Sequence, residues 1–142
     1  MSRISLAEMT ELTTRELPWA VAMGLTPEAV DDCFARVRLP HTDRNLRPGG
    51  TVSGPAMMAL ADYALYVAVL TAIGREDLAV TSQLSINFLR KPAPRDLLAE
   101  ARVIRLGRRL AYGDVFLHSD GEAAWKPVAH ITGSYALPMT EQ

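Results

Sequence analysis

Cysteine is nearly absent from this chain of 142 residues, since Cys33 is the only one. A single cysteine excludes an internal disulfide framework and fits a protein of the reducing cytoplasm, which is the compartment we expect. There is no CxxC motif, and the three histidines, His41, His118 and His130, are widely separated in the sequence. We therefore expect no metal site.

An excess of charge of either sign is also missing. Fifteen Lys and Arg residues stand against sixteen Asp and Glu residues, a formal net charge of -1. No global positive field is available to hold a nucleic-acid backbone, so we expect no nucleic-acid partner. The first residues carry charges where a signal peptide needs an apolar core, and the longest apolar run is interrupted by Asp62 and ends at Gly74. We expect neither export nor a membrane span.

The chain is long enough, and with 49% hydrophobic residues apolar enough, for one domain spanning residues 1–142. Residues 5–17 have apolar side chains at loose helical spacing and predict a short helix before Pro18. Residues 20–31 fit either a strand or a short helix. Residues 34–40 alternate apolar and basic side chains, which predicts a half-buried strand.

A long apolar helix is the strongest local prediction. Residues 41–54 are rich in Gly and polar side chains and predict an irregular loop. Pro55 suits the first helical position, Ser53 or Gly54 suits the cap, and the helix should run to about residue 73 with Asp62 as its only charge. A helix apolar nearly all round must be covered nearly all round, and one small domain cannot supply the whole cover. We therefore expect a homodimer or a dimer of dimers.

Four strands should follow the helix, at residues 80–90, 97–106, 110–118 and 124–137, because apolar and polar side chains alternate there. In the first, Val80, Leu84 and Phe88 fall on one face and Thr81 on the other. The Asp120-Gly121 pair predicts a tight hairpin of type I′. The pattern favours an α+β fold in which a twisted antiparallel meander wraps around the central helix.

A family resemblance is carried by four segments: RPGGTVSGPAMMALAD (residues 47–62), SINFLRKPA (85–93), DLLAEARVIRLGRR (96–109) and VAHITGSYALP (128–138). Together they resemble the PaaI-like acyl-CoA thioesterases of the hotdog fold, over residues 34–138. One departure stands out, because Ser53-Gly54-Pro55 occupies the place where the family commonly has His-Gly-Gly. The first residue is then not an imidazole, and the third has no N–H.

The resemblance implies hydrolysis of acyl-CoA to the free acid and CoA, with no cofactor beyond the CoA of the substrate. Asp62 would be the catalytic base or nucleophile, and Gly54 at the helix start would polarise the carbonyl. Asp62 lies about two turns into the helix, too far to reach its own helix start. In the family the Asp reaches the neighbouring subunit's helix, which implies a site at the dimer interface.

Several assignments stay open from the sequence alone. The resemblance also implies a polar loop residue that helps to place water or substrate beside Asp62; its register falls on Arg47, and Asn45 lies two residues earlier. It likewise implies that the Thr81 hydroxyl positions water, although Thr81 could equally be a β-branched residue that fills the strand. Ser53 and Pro55 lie at the substrate-binding helix start, although Ser53 fits a helix cap better than a nucleophile. The CoA phosphates need basic groups at the mouth of the site. The candidates are Arg47, Arg90, Lys91, Arg108 and Arg109.

Alternative readings exist for both residues and chain. Asp62 could pair structurally with an arginine such as Arg47 or Arg90, and the basic strand ends could be a solvated edge. The chain could be a non-catalytic acyl-CoA binding or sensing dimer, or a purely structural dimer. A hotdog hydratase would need a His close to the Asp, and no His follows Asp62 before His118.

Overall fold

The computed structural model describes residues 1–123 and 126–138, and three α-helices and six strands follow one another in these ranges. The helices are α1 (Leu6–Glu16), α2 (Pro18–Met23) and α3 (Gly54–Ile73). The strands are β1 (Thr26–Asp31), β2 (Phe34–Leu39), β3 (Val80–Phe88), β4 (Leu97–Leu106), β5 (Leu110–Ser119) and β6 (Ala129–Ala136). A short 3-10 turn, Asp43–Asn45, lies in the loop before α3.

The six strands form one antiparallel sheet in the order β1-β2-β4-β5-β6-β3. This sheet curves around α3, so the expected α+β arrangement of a sheet wrapped around a central helix is confirmed. The expected four-strand meander is wrong in one respect, because β3 pairs with β6 and not with β4. Residues 89–96 contain Pro92 and Pro94, which lack N–H donors, and they carry the chain across the end of the sheet instead of closing a hairpin.

Helix α3 is the core of the chain, and 14 of its 20 residues are buried. The N-terminal segment covers part of it: the Arg3 N–H donates to the Thr71 carbonyl (2.8 Å), and the hydroxyls of Thr13 and Tyr63 are 2.6 Å apart. One chain therefore covers most of α3 but not all of it, as the sequence predicted. The exposed part is a stripe on its first turns that includes Pro55 and Met58.

By length and composition alone, Gly54–Ile73 could cross a membrane. In its most apolar window, however, 72% is buried inside the fold, as in the core helix of a protein that does not cross one.

The N-terminal predictions are confirmed, and residues 20–31 contain both of the structures considered. Helix α1 begins at Ser5 with a capping box, in which Ser5 and Glu8 each accept from the other's backbone N–H. Helix α2 then ends at Gly24, whose φ of 78° is a left-handed conformation that glycine adopts readily. Strand β1 follows after Leu25.

The predicted tight hairpin at Asp120-Gly121 is wrong. Strand β5 ends at Ser119 and β6 starts only at Ala129, with Leu117 opposite Ala129. A type I′ turn needs positive φ at both central residues, and here only Gly121 has it (85°). The predicted strand start at residue 124 lies outside the described residues.

Candidate functional site

Asp62 lies about two turns into α3 with its side chain partly exposed. The Thr81 hydroxyl donates to Oδ1 of Asp62 at 2.7 Å. The Tyr135 hydroxyl lies 2.5 Å from the same Oδ1 and 2.8 Å from the Asp62 carbonyl oxygen. No described residue donates to Oδ2, and Asp62 forms no ion pair with Arg47 or Arg90 in the described chain. One carboxylate oxygen is held and the other is open.

Tyr135 is the member of this group to which the sequence did not point. Its side chain is on the buried face of β6, 3% exposed, and a buried tyrosine hydroxyl needs a partner. Burial and the neighbouring charge of Asp62 raise the pKa of Tyr135 well above its usual value. The phenol therefore stays protonated and acts as a donor. The feature of the sequence that could have indicated this role is a tyrosine, with its hydroxyl, on the apolar face of the predicted strand.

A β-bulge places Thr81 on the face of β3 that points to Asp62. The sequence predicted the opposite face. Strict alternation puts Thr81 opposite to Leu84 and Phe88, but the pairing with β6 shifts between Thr81 and Gln83. Such a bulge adds one residue to a strand and reverses the alternation. Thr81 consequently pairs with Tyr135 and faces α3 on the same side as Leu84.

A cavity of about 360 Å³ opens beside Asp62, and we call it the Asp62 cavity. Much of its wall is aromatic. The Tyr63 hydroxyl is bonded to Thr13, and the Tyr66 hydroxyl donates to the Asp77 carbonyl at 3.4 Å. Burial raises the pKa of Tyr66 to about 12, so this phenol is neutral as well. The lining residues are Leu17, Trp19, Asp62, Tyr63, Tyr66, Asp77, Ala79, Val80, Thr81 and Tyr135.

A second cavity, of about 630 Å³, lies at the start of α3, and we call it the Gly54 cavity. It brings four of the predicted site residues together: Gly54, Arg47, Arg90 and Lys91. The ring of Phe88 packs at the helix start, 3.4 Å from where a Cβ on Gly54 would lie. The three exposed cations make this cavity positively charged.

The start of α3 leaves one backbone donor open. Ser53 is the cap, and its hydroxyl accepts from the Ala56 N–H at 3.2 Å, while its carbonyl accepts from the Met57 N–H at 3.0 Å. Pro55 has no N–H. In this first turn, the Gly54 N–H is therefore the donor for which the described residues provide no acceptor. It lies at the positive end of the helix dipole. Ser53 thus has a capping position, and Pro55 is exposed beside it.

The two loop candidates differ in position. Asn45 is 4% exposed, and its amide donates to the Thr42 hydroxyl at 3.2 Å, while its backbone carbonyl accepts from the Ser53 N–H at 2.9 Å. It holds the loop together and lines neither cavity, whereas Arg47 lines the Gly54 cavity. A catalytic role for Asn45 stays a prediction.

Arg108 and Arg109 lie in the turn between β4 and β5, at the opposite end of the sheet from Arg90 and Lys91. The pairing shows this, since Leu110 is opposite Ala136, which in turn is opposite Val80 at the start of β3. Arg90 follows the other end of β3. One chain therefore does not bring the four cations together.

The two cavities share no lining residue. Asp62 lies eight positions after Gly54, which is about 12 Å along a helix axis. Within one chain the open donor of Gly54 and the open oxygen of Asp62 therefore do not face a common space. In the described ranges no group of three His, Cys, Asp or Glu side chains is arranged to hold a metal ion.

Comparisons with known proteins agree with this fold. The profile of the thioesterase superfamily matches residues 49–125, which include Gly54, Asp62 and Thr81. A protein of Saccharolobus solfataricus, described as a candidate esterase, is 30% identical over 79% of this chain and 73% of its own length.

Solved structures are similar as well. A protein of Silicibacter sp. TM1040, described as a candidate thioesterase, is 40% identical with a TM-score of 0.86 over 97% of this chain and 94% of its own. A variant of the phenylacetic acid degradation protein PaaI of Thermus thermophilus is 29% identical with a TM-score of 0.74, covering 85% of this chain and 99% of its own.

Proposed function

This chain belongs to the thioesterase superfamily, as a PaaI-like hotdog protein, and from that membership we propose that it hydrolyses acyl-CoA thioesters to the free acid and CoA. The observation that carries the proposal is the geometry of Asp62. Two hydroxyls hold Oδ1, and Oδ2 is open beside a cavity. A carboxylate that only stabilised the fold would not need an open oxygen at a cavity wall.

The chemistry uses two groups. The Gly54 N–H donates to the thioester carbonyl and stabilises the negative charge that develops on its oxygen. Oδ2 of Asp62 either takes a proton from water, which attacks the carbonyl carbon, or attacks that carbon itself to give an anhydride that water then hydrolyses. In both routes the C–S bond breaks, CoA leaves as the thiolate and is protonated, and the carbonyl becomes a free carboxylic acid.

A second subunit brings these groups together in our proposal. Strand β3 is an edge strand, with one side unpaired in the described chain, and such edges readily pair with another chain. If two copies of β3 pair antiparallel about a two-fold axis near Leu84, Thr81 of one subunit lies beside the Phe88 end of the other. The Asp62 cavity then adjoins the Gly54 cavity of the partner subunit.

Exposed apolar side chains on and near β3 support this dimer. Phe88 is 53% exposed, Leu89 54%, Val80 58% and Met58 38%. They lie on β3, just after it, and on the exposed stripe of α3. Burying such groups in a two-fold interface is the usual way in which a homodimer gains its stability. A dimer of dimers would add a second interface to this one.

The cations of the Gly54 cavity suit the CoA end of the substrate. Arg47, Arg90 and Lys91 are all exposed and line that cavity. The phosphates of CoA form strong charge-assisted hydrogen bonds with such groups. Under the two-fold arrangement, Arg108 and Arg109 at each site would belong to the subunit that supplies Asp62, and Arg47, Arg90 and Lys91 to the subunit that supplies Gly54. Free acyl-CoA substrates and the single cysteine suit the cytoplasm, where we place the protein.

The test is an assay of the purified protein against a panel of short, long and aryl acyl-CoAs. We expect wild-type turnover and a loss of at least about 100-fold in Asp62→Asn, the scale of removing a general base. Asp77→Asn is the matched control, since Asp77 lines the same cavity, its carboxylate lies 3.7 Å from Nε of Arg75, and the described hydrogen bonds of Thr81 and Tyr135 go to Asp62 instead. It should keep turnover.

Two outcomes would overturn the proposal. If Asp62→Asn hydrolyses thioesters as fast as the wild type, Asp62 is not the catalytic carboxylate. If the wild type binds CoA esters without turnover, the protein is the acyl-CoA sensor instead, a function that the Ser53-Gly54-Pro55 sequence with its one open donor would suit.

A further inference from the structure

We propose that Tyr135 is a positioning residue, which together with Thr81 fixes the Asp62 carboxylate so that Oδ2 alone faces the substrate. The inference rests on the proposed function of Asp62. A carboxylate on a helix rotates about its last torsion and has two equivalent oxygens. Two hydroxyl donors on the same oxygen remove that equivalence.

Tyr135 is rigid enough for this role. The ring is 3% exposed and packs against Tyr66 with 5.9 Å between ring centroids. Its strand position opposite Thr81 is set by the β3–β6 pairing. The hydroxyl also lies 2.8 Å from the Asp62 carbonyl oxygen, so the phenol contacts both the side chain and the backbone of the residue it holds. The carboxylate cannot turn without breaking these contacts.

Removing the Tyr135 donor leaves the Thr81 hydroxyl as the single described donor to Oδ1 of Asp62. The carboxylate can then turn, and Oδ2 is less often placed for reaction. Because this affects the chemical step and not the binding of substrate, we expect a lower kcat and a nearly unchanged KM.

The test compares Tyr135→Phe with Tyr66→Phe. Tyr135→Phe should lower kcat by about tenfold with little change in KM. Tyr66→Phe removes a hydroxyl from the same cavity that bonds to Asp77 and not to Asp62. Any fall in its kcat should be smaller than the fall in Tyr135→Phe.

Controls separate the possible failures. An unchanged kcat in a folded Tyr135→Phe protein, or an equal fall in Tyr66→Phe, overturns the inference, provided that the wild type is active and Asp62→Asn is not. An inactive wild type or an active Asp62→Asn overturns the proposed function instead. If Tyr135→Phe does not fold, Thr81→Val removes the other donor to the same oxygen, and an unchanged kcat there has the same meaning.

A separate observation concerns the wall of the Asp62 cavity that lies outside the matched residues 49–125. Leu17 and Trp19, at the junction of α1 and α2, both line it. Trp19 meets Tyr63 edge to face with 6.3 Å between ring centroids. Pro18 begins α2, and Leu17 before it is not helical (φ -126°, ψ 67°), so the chain turns sharply at this wall.

From this wall we infer that Trp19 limits the size of the acyl group. The cavity of about 360 Å³ is at the small end of the range for ligand pockets. With CoA held at the Gly54 side, the acyl group of the proposed substrate extends from Asp62 toward Trp19. Short or compact acyl groups fit this space, whereas long acyl chains fit only when the Trp19 indole is removed.

The test measures kcat/KM for butanoyl-CoA and decanoyl-CoA. In Trp19→Ala the decanoyl to butanoyl ratio should rise about tenfold over the wild-type ratio, the scale of a change in one pocket wall. Trp19→Phe should keep the wild-type ratio. Val21→Ala, which removes an exposed apolar side chain of α2 outside this cavity, is the matched control. An unchanged ratio in Trp19→Ala overturns the inference, whereas a wild type inactive on these two esters and on aryl acyl-CoAs alike overturns the proposed function.

Discussion

The Arg38 side chain connects three segments of the chain, each of which contributes one carboxylate. Its guanidinium binds Glu28 on β1 at 2.5 Å, Asp96 before β4 at 3.1 Å and Asp120 after β5 at 2.8 Å. The Asp96 carboxylate also accepts from the His41 N–H at 2.8 Å. These contacts raise the pKa of Arg38 above its usual value. The cation therefore fixes loops that the sheet pairing does not reach.

Arg38→Met should lower the free energy of unfolding by about 2 kcal/mol, because hydrogen bonds to charged groups are lost and three carboxylates are left together. The measurement is urea denaturation at neutral pH. Arg36→Met is the matched control, since within the described residues Arg36 forms one ion pair, with Glu28 at 3.5 Å, and its side chain is 40% exposed. Its effect should be within about 0.5 kcal/mol. Equal losses in the two variants would contradict the role given to Arg38.

The effect of Arg38 should also depend on pH. Its hydrogen bond lowers the pKa of Asp120 below 3.8. A carboxylate with a lowered folded-state pKa stabilises the fold above its unfolded value and loses that contribution as pH falls through the folded one. The difference in Tm between wild type and Arg38→Met should therefore be full at pH 5 and shrink below pH 3.8. A difference that grows with acid would contradict this sign.

Single residues differ in how far the sequence could predict them. Asp62 was predictable because one charge among apolar neighbours is a local anomaly, and Gly54 because a helix start has local signals. The position of Tyr135 depends on which strands pair, and that of Thr81 on a bulge between β3 and β6. Neither is encoded in local periodicity. The choice between Asn45 and Arg47 as the loop partner of Asp62 stays open, since neither lines the Asp62 cavity in the described chain.

Helix α3 begins at a cap that the sequence already indicated. Ser53→Ala removes the hydroxyl that accepts from the Ala56 N–H, so it should cost about 1 kcal/mol of stability. Ser53→Asp supplies an equivalent acceptor and should restore most of that loss. Urea denaturation checks both. Ser53→Ala should keep thioester turnover within a few-fold of wild type, and complete loss of turnover in a folded protein would make Ser53 more than a cap.

The helices and strands were largely predictable from the sequence, whereas the order in which the strands pair was not. The periods of α1, α3 and the strands follow from side chains a few residues apart. The placing of β3 beside β6 depends on how residues 89–96 cross the sheet, and β6 begins only at Ala129 because the β5–β6 connection is longer than Asp120-Gly121 suggested. Strand order reflects contacts between distant residues, which a local pattern does not contain.

In our proposal, the dimer is the smallest unit that can hydrolyse the substrate. One chain carries an open oxygen at Asp62 and an open N–H at Gly54 in cavities that share no residue. A two-fold axis near Leu84 would make two sites, each from both subunits.

Gly54→Pro removes the donor while proline still suits a helix start, whereas Gly54→Ala keeps the donor and adds a Cβ at 3.4 Å from Phe88. Gly54→Pro should be inactive and Gly54→Ala active.

These variants allow the two-chain site to be tested directly. Asp62→Asn and Gly54→Pro proteins are each expected to be inactive alone, and are unfolded and refolded together in equal amounts. Half of the dimers are then mixed, and each mixed dimer has one site with an intact Asp62 from one chain and an intact Gly54 from the other. About a quarter of wild-type activity should therefore return. If each site lay within one chain, every chain in the mixture would still carry a damaged site, and no activity would return at any mixing ratio.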